Sequence, residues 1–386
     1  MTDDKFGQYT ADIATSASRT NATDGSKARP AAEKLLEAAA TLPFHPHPLL
    51  ANQHLQTIWS NRIERHPAGR RLSDRSESSF VEAEDGDRLQ LQWSLTEHDP
   101  TAVLIVLHGL TGCAESNNVM SVAAKGYAAG FDVVRVDLRN SLADDTSLGI
   151  GHAGRSEDLR SVIDHVRGEY PGTPLTVIGF SLGGNITLKA MGEYGSAAPS
   201  ELKAVATISV PIDLDAACHA IDRTGNWIYR SYFLKRLAGR YELLRARHPE
   251  RFPYLELSAI KSIRAWDNAI VAPLSGFVDA EDYYSQSSAL RTLAGIRIPS
   301  LLIQAQDDPF IPFDSFRRPV VQNHGWLKLL GPARGGHVGF YAAPGVDGEL
   351  DRFWAENRAL AFCAASVELP WPPPRGLDSL AVKISR

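Results

Sequence analysis

From residue 101 onward, short apolar runs alternate with stretches of helical periodicity. Continuous apolar runs are typical of strands buried on both faces, and their alternation with helices predicts a mostly parallel sheet between layers of helices. The runs are residues 102–107, 133–136, 175–178, 204–210, 300–304 and, more weakly, 327–330. Ligands of such sheets bind beyond the carboxyl ends of the strands, so the residues that follow each run are the candidates for catalysis or binding.

The strongest signal follows the run at 175–178, where the chain continues as Gly179-Phe-Ser181-Leu-Gly183 and then as a helical pattern. A strand, G-x-S-x-G and a helix in this order form the context of a nucleophile elbow. Glycines flank the serine because the sharp turn leaves no room for larger side chains. The alternative, a phosphate-binding loop, requires G-x-x-x-x-G-K-[ST], which the chain lacks. The pattern therefore predicts Ser181 as a nucleophile.

A serine hydroxyl needs a base to remove its proton, and the base needs a carboxylate to orient it. In folds with this elbow, the order along the chain is serine, acid, histidine. His337 follows the run at 327–330 and has glycines close on both sides, which leave space for its ring. His337 is the predicted base, and a loop histidine that only caps a neighbouring helix is the alternative.

The acid has several candidates after the sheet strands. Asp308 follows the run at 300–304 and is favoured because Pro309 ends the strand's hydrogen bonding and Asp308 begins an Asp-x-x-x-Pro sequence. Asp307 is then expected in a turn or cap. Asp213, which follows the run at 204–210, is the third candidate.

A tetrahedral oxyanion needs two backbone N–H donors. We expect one from Leu182, after the nucleophile, and one from Leu110, in the loop after the first run; His108 is expected to pin that loop. Neither a metal nor an organic cofactor is predicted. The histidines between residues 45 and 66 do not have the spacing of a zinc site.

Changes in composition along the 386-residue chain predict two tails, a core and a cap. Residues 1–40 are predicted to be a disordered or loosely packed tail, because their sequence is poor in large apolar residues. Residues 41–212 and 291–365 are predicted to form the α/β core, including a hairpin within 80–93 that turns at Asp85-Gly86. Residues 213–290 have a helical pattern and are predicted to be a cap inserted into the core. Residues 366–386 are a proline-rich C-terminal tail.

The net charge of -5 gives no reason to expect nucleic-acid binding, but the charged residues are unevenly distributed along the chain. Residues 222–264, within the cap, carry ten Lys and Arg against four Asp and Glu. One interpretation is a solvated basic face above an apolar packing face. The other is a lid that contacts an anionic lipid surface or receives an acidic substrate.

A cytoplasmic location is expected from three observations. The three cysteines are far apart and form no C-x-x-C pair, which argues against a disulfide framework. The N-terminus has acids where a cleaved signal peptide has bases. No run of about 18 apolar residues is present to span a bilayer.

These motifs resemble the α/β-hydrolase superfamily, and within it the YheT-like branch of predicted esterases related to eukaryotic abhydrolase-domain lipases. The resemblance implies that Ser181, Asp308 and His337 form a triad that acts on acyl esters. One departure is the loop from Arg139 to residue 146, so substrate preferences of relatives do not carry over. The matching stretches are 50–57, 108–112, 151–154 with 157–158, 179–184, 273–277 with 283–284, 306–309 and 335–338.

The sequence thus predicts a serine hydrolase acting on carboxylic esters, either short- to medium-chain acyl esters or lipids, through an acyl-enzyme. Two alternatives remain: an acyltransferase that uses the same triad, and a non-catalytic ligand-binding relative. The expected partner is a small-molecule or lipid ester, with peripheral membrane contact through the basic cap as a further option. Acyl length, alcohol group and oligomeric state are left open.

Overall fold

The computed structural model describes residues 25–39, 43–63, 65, 68–97, 100–142, 147–345 and 349–373. Their eight strands form one sheet in the order β1-β2-β4-β3-β5-β6-β7-β8. Strands β3 to β8 are parallel, and β2 pairs antiparallel with both β1 and β4. The strands are β1 (Glu77–Glu82), β2 (Arg88–Ser94), β3 (Ala102–Leu107), β4 (Phe131–Asp137), β5 (Leu175–Phe180), β6 (Leu202–Ile208), β7 (Ser300–Ile303) and β8 (Leu327–Leu330).

Helices cover both faces of this sheet. The helices of the described residues, both those on the sheet and those elsewhere, are α1 (Gly25–Ala38), α2 (Gln53–Arg62), α3 (Ala68–Ser73), α4 (Asn117–Ala129), α5 (Ser156–Glu169), α6 (Leu182–Tyr194), α7 (Leu214–Asp222), α8 (Trp227–Arg247), α9 (Ile263–Trp266), α10 (Ala272–Ser275), α11 (Ala280–Ser287), α12 (Pro319–Gln322) and α13 (Trp354–Ser366). Strand β3 shows why the apolar runs are continuous. Val103 and Ile105 face the layer that contains α5 and α6, whereas Leu104 and Val106 face the layer that contains α4 and α13.

The predicted fold class is confirmed: the mostly parallel sheet, its helical layers and the antiparallel hairpin β1-β2 are all present. The strand limits differ by a few residues. The run at 204–210 was expected to continue to Val210, but β6 ends at Ile208 because Ser209 adopts a positive φ of 56°. That conformation turns the chain away from the extended course of the strand, while the Ser209 N–H still donates to the Ile303 carbonyl at 2.9 Å.

Every residue from 213 to 290 is described, and none of them lies in a strand. Helices α7 to α11 occur here and build a third apolar cluster, which includes Tyr241, Trp266, Tyr283 and Tyr284. Leu182 of the core packs against this cluster. We propose that the segment is the cap of the catalytic core.

The described parts of the two predicted tails include residues that pack on the core. Helix α1 begins within the predicted N-terminal tail, and its Ala32 and Leu36 are buried, Leu36 in the same apolar layer as α13. Leu369 and Trp371, in the proline-rich C-terminal segment, also pack on this layer. Residues 1–24 and 374–386 lie outside the described residues. Among the helices of the described chain, none is both long and apolar enough to cross a membrane.

Candidate active site

Ser181 stands between β5 and α6 with φ 49° and ψ −116°, a conformation that side-chain-bearing residues seldom adopt. The close packing of this turn requires the flanking glycines. A Cβ on Gly183 would lie 2.5 Å from the carbonyl oxygen of His108, and one on Gly179 would lie 2.7 Å from the carbonyl oxygen of Gly183. The Ser181 N–H donates to the Ile208 carbonyl at 2.9 Å, which fixes the turn against β6. The sequence therefore places the hydroxyl at the start of helix α6.

The structure brings Ser181, His337 and Asp308 together. His337 Nε2 lies 3.1 Å from Ser181 Oγ, and His337 Nδ1 lies 2.9 Å from Asp308 Oδ2. Both the histidine and the aspartate are buried. With the ring proton on Nδ1 and donated to the carboxylate, Nε2 is free to accept the serine proton.

The Asp308 carboxylate is held by further donors. Its Oδ1 accepts the backbone N–H groups of Phe310 at 2.9 Å and Ile311 at 3.2 Å. Its Oδ2 accepts the Gln304 side-chain amide at 3.1 Å, in addition to the His337 ring. These bonds fix the carboxylate in one orientation towards the imidazole.

The two other candidate acids have different partners. Asp307 accepts the backbone N–H of Gly336 at 2.9 Å and so braces the loop that carries His337. Asp213 caps helix α7 by accepting the Ala216 N–H, and it also pairs with Arg318 at 3.1 Å. The geometry thus favours Asp308 as the partner of the histidine.

Three residues from other parts of the chain hold the histidine loop, and the sequence reasoning gave none of them a role. Thr57 Oγ1, on helix α2, accepts the backbone N–H of His337 at 2.9 Å. Ser209 Oγ accepts the N–H of Val338 at 2.9 Å, and the Arg65 guanidinium donates to the Val338 carbonyl at 2.8 Å. Thr57 falls in the family-like stretch 50–57, which was the available signal; Arg65 and Ser209 had none.

Leu110 and Leu182 both line the cavity that contains Ser181. Neither backbone N–H donates to another group in the described part of the chain. A Cβ on Gly109, next to Leu110, would lie 3.1 Å from Ser181 Cβ, so this loop passes directly against the serine. The two N–H groups are thus available for an oxyanion.

His108 fastens the same loop. Its Nε2 accepts the Leu138 N–H at 3.1 Å, so the ring proton is on Nδ1 and is donated to the Gly109 carbonyl at 2.8 Å. Burial lowers the pKa of His108 to about 4, so the ring is neutral at pH 7. A neutral ring bonded at both nitrogens positions the loop and has no nitrogen left to act as a base.

The cavity has a volume of about 170 Å³ and lies between Ser181 and the segment 213–290. Its walls on that side are mainly apolar and aromatic, and they include Phe233, Tyr241, Leu244, Trp266 and Tyr283. Such a lining favours an apolar portion of a ligand.

Arg139, which begins the loop that departs from the family pattern, also lines this cavity. Its buried guanidinium is paired with Asp158 at 2.5 Å, Asp85 at 2.7 Å and Asp87 at 3.0 Å. The hydrogen bond from Arg139 lowers the pKa of Asp85 to about 2. The arginine is therefore neutralised by its own neighbours; residues 143–146 of the loop lie outside the described residues.

No group of three or more side chains with metal-ligating chemistry occurs among the described residues. Two of the described histidines of the 45–66 region, His47 and His54, have side-chain contacts with other groups. His54 Nδ1 lies 3.0 Å from the Tyr229 hydroxyl, and the two rings are stacked with centroids 5.8 Å apart. His47 accepts the N–H of Leu49.

The chain is similar to several known proteins. Residues 102–341 match the model of the alpha/beta hydrolase fold family. YheT of Escherichia coli (strain K12), whose name assigns it as an esterase, is 28% identical over 83% of this chain and 93% of its own length. Phospholipase ABHD3 of Mus musculus is 28% identical over 68% of this chain and 66% of its own. The Pyrococcus furiosus esterase Pf2001 aligns in structure with a TM-score of 0.49 and 19% identity, over 77% of this chain and 93% of that chain.

The region that the family model matches is more than half of the chain, and Ser181, Asp308 and His337 lie within it. The similarity to YheT extends over most of both chains. The chain belongs to the α/β-hydrolase fold family and is similar to YheT over most of its length.

Proposed function

We propose that this protein is a serine hydrolase that cleaves carboxylic esters, with Ser181 as nucleophile, His337 as base and Asp308 as the orienting acid. The observation that carries the proposal is the pair of hydrogen-bond contacts Ser181–His337 and His337–Asp308 at the wall of an apolar cavity. A nucleophile in contact with its base, and a base in contact with an acid, is the arrangement that activates a serine.

The reaction follows from the positions of these groups. His337 Nε2 takes the Ser181 proton while Oγ bonds to the ester carbonyl carbon, and the Leu110 and Leu182 N–H groups bind the resulting oxyanion. The oxyanion collapses, the bond to the alcohol oxygen breaks, and His337 gives its proton to that oxygen. Water then loses a proton to His337 and attacks the acyl-enzyme, which releases the carboxylic acid and restores Ser181. These reaction steps require no cofactor.

The apolar cavity supports an acyl chain or other hydrocarbon portion in the substrate. The relatives named as an esterase and a phospholipase point to the same chemical class. We therefore propose short- to medium-chain acyl esters or lipids as substrates.

The decisive experiment is substitution of Ser181. Ser181→Ala should lower hydrolysis of a nitrophenyl ester by at least about 10⁴-fold and abolish labelling by a fluorophosphonate probe. Ser258→Ala, at an exposed serine in the proposed cap, is the matched control and should leave both unchanged. Near wild-type activity in Ser181→Ala would overturn the proposal.

Two observations on the wild-type protein separate the alternatives: where the acyl group goes when an acceptor is added, and whether the probe labels the protein. If an added alcohol or thiol takes most of the acyl groups in the presence of water, the protein is an acyltransferase. If wild-type protein shows neither labelling nor turnover, the chain is a ligand-binding relative.

We also propose peripheral contact with an anionic lipid surface through helix α8. Trp227, Ile228 and Tyr232 are more than half exposed on this helix, which is rich in Lys and Arg. The stacking of His54 on Tyr229 brings α8 next to α2, whose Leu55, Ile58 and Trp59 are also exposed. Apolar and aromatic side chains beside bases favour binding to the interface of an anionic membrane.

Flotation with vesicles tests this contact. Wild-type protein should float with phosphatidylserine-containing vesicles more than with pure phosphatidylcholine, and the double variant Trp227→Ser with Ile228→Ser should float less. Tyr254→Ser with Val278→Ser, at exposed positions elsewhere in the segment 213–290, is the control and should behave as wild type. Equal flotation of all three proteins would contradict the contact.

A reducing compartment such as the cytoplasm fits the cysteines. Cys113, Cys218 and Cys363 are all free thiols, and two of them are buried. Because a structure of this kind uses no disulfide for stability, we propose that the protein works in the cytoplasm. Localisation of a tagged chain by microscopy or fractionation tests this.

A further inference from the structure

The cavity wall formed by the segment 213–290 contains a carboxyl group that the proposed reaction does not use. Asp267 begins the π-helical turn Asp267–Val271, is 8% exposed and lines the cavity. Its Oδ2 accepts the Tyr284 hydroxyl proton at 2.6 Å. Its Oδ1 has no hydrogen-bond partner among the described residues. A carboxylate oxygen that lies at a cavity wall and has no partner in the protein is a candidate for ligand contact.

The neighbours of Asp267 keep its carboxyl in place without satisfying it. Tyr284 also lies 2.9 Å from Cys218 Sγ, but its single proton is directed to the carboxylate as the stronger acceptor. Burial raises the pKa of Cys218 to about 12, so the thiol stays protonated and does not act as a second nucleophile. Trp266, adjacent in sequence, and Tyr283 provide apolar and aromatic surface in the same wall.

The charges around the cavity limit what could occupy the open oxygen. Arg240 lines the same cavity and donates to the backbone carbonyls of Gly112 and Ser141, and its positive charge disfavours a cation there. An anion would be repelled by Asp267 whenever that carboxyl is ionised. Burial raises the pKa of Asp267 to about 7, so both its protonation states are populated near neutral pH. A hydroxyl group suits either state, because it can donate to a carboxylate and accept from a carboxylic acid.

We propose that Asp267, positioned by Tyr284, binds a hydroxyl group of the substrate, so that the enzyme prefers esters with a hydroxyl in the portion that enters the cavity. This inference rests on the proposed ester hydrolysis. The hydroxyl has two sources: the alcohol half, as in a glycerol ester, or a hydroxylated acyl chain.

Three substrates with eight-carbon acyl chains distinguish these sources: monooctanoylglycerol, ethyl octanoate and the ethyl ester of a hydroxyoctanoic acid. Wild-type enzyme should show a kcat/KM at least about 10-fold higher for one hydroxylated substrate than for ethyl octanoate, a ratio equal to about 1.4 kcal/mol and within reach of one buried hydrogen bond. The substrate that shows the preference identifies the half that carries the hydroxyl.

Substitution then assigns the preference to Asp267. Asp267→Leu should lower the ratio of kcat/KM for the preferred hydroxylated ester to kcat/KM for ethyl octanoate to about 1. Asp267→Asn, which keeps a hydrogen-bonding side chain, should retain most of the preference. Because Asp267→Leu leaves the Tyr284 hydroxyl without its partner, the double variant Asp267→Leu with Tyr284→Phe should give the same loss of preference in a more stable protein.

The inference is overturned if wild type hydrolyses all three esters equally, or if the preference survives in both leucine variants. It falls together with the proposed function if ethyl octanoate is not hydrolysed and Ser181 is not labelled by fluorophosphonate. Hydrolysis of ethyl octanoate without a preference leaves the proposed function intact and contradicts only the role of Asp267.

Discussion

Thr57 Oγ1 accepts the backbone N–H of His337 at 2.9 Å and so connects helix α2 with the loop that carries the proposed base. The Thr57 hydroxyl proton is donated in turn to the Gln53 carbonyl at 2.8 Å. The loop needs such support because Val338, the next residue, has a positive φ of 56°, a region that β-branched residues avoid. A threonine 280 residues away in the sequence thereby helps to set where the imidazole stands.

Thr57→Val tests this positioning role, because valine keeps the shape of threonine and removes the acceptor. We expect kcat to fall by about 10-fold with little change in KM, since the substrate contacts remain and a buried N–H without a partner costs about 1–3 kcal/mol. Thr57→Ser restores an acceptor and should recover most of kcat. An equal loss in both variants would mean that the side chain only fills space.

The choice between the adjacent aspartates can be measured directly. Asp308→Asn should lower kcat/KM by about 10³- to 10⁴-fold, because an amide no longer stabilises the imidazolium and the required tautomer of His337. Asp307→Asn should cost less than about 10-fold, since the amide oxygen of asparagine can still accept the Gly336 N–H and Asp307 does not contact His337. Asp213→Asn, at the cap of α7, should leave kcat/KM close to wild type. The reverse order of effects would assign the acid to Asp307.

His108 should make part of the stability dependent on pH. Its pKa is about 6.5 when unfolded and about 4 when folded, because burial disfavours the charged ring. Between these values the unfolded chain binds the extra proton, so this contribution is complete above pH 6.5 and is lost as the pH falls towards 4. At 1.36 kcal/mol per pH unit, the loss by pH 5 is about 2 kcal/mol.

Urea unfolding of wild type and His108→Gln isolates this effect. Glutamine can still accept the Leu138 N–H but does not titrate. The destabilisation caused by the substitution should therefore be about 2 kcal/mol smaller at pH 5 than at pH 7. Other groups, such as Asp137 and Asp267, whose pKa values are raised to about 6 and 7, titrate in both proteins and cancel in the comparison. A difference that is constant with pH would contradict a neutral buried ring.

A buried ionic cluster behind the histidine loop should be important for stability. Glu356 contacts Arg65 at 2.5 Å and Lys125 at 2.8 Å, and all three side chains are almost fully buried. Glu356→Gln keeps the volume but leaves two cations undercompensated, so we expect the free energy of unfolding to fall by about 3–5 kcal/mol. Glu33→Gln breaks an exposed pair with Arg29 and should change it by less than about 1 kcal/mol. Similar small effects in both variants would show that the cluster relaxes or admits water.

The parts of this structure that could be predicted are those with a local signature. A buried strand, two glycines and a following helix specify the turn at Ser181, because the backbone conformation there depends on residues adjacent in sequence. The N-terminal helix was missed for the opposite reason. Its Ala32 and Leu36 are buried and the helix packs against α13 and β8, and nothing in the composition of residues 1–40 indicates those neighbours.

The sequence by itself determined the sheet, the elbow and the order of serine, acid and histidine, since apolar periodicity and glycine spacing act over a few residues. Only the tertiary structure decided between Asp308 and its neighbours as the contact of His337, and placed Thr57, Ser209 and Arg65 on the histidine loop. Likewise, only folding brought Asp267 into the cavity wall that Ser181 shares. Hydrogen bonds between residues far apart in the chain depend on how helices and strands pack, and no local pattern encodes that packing.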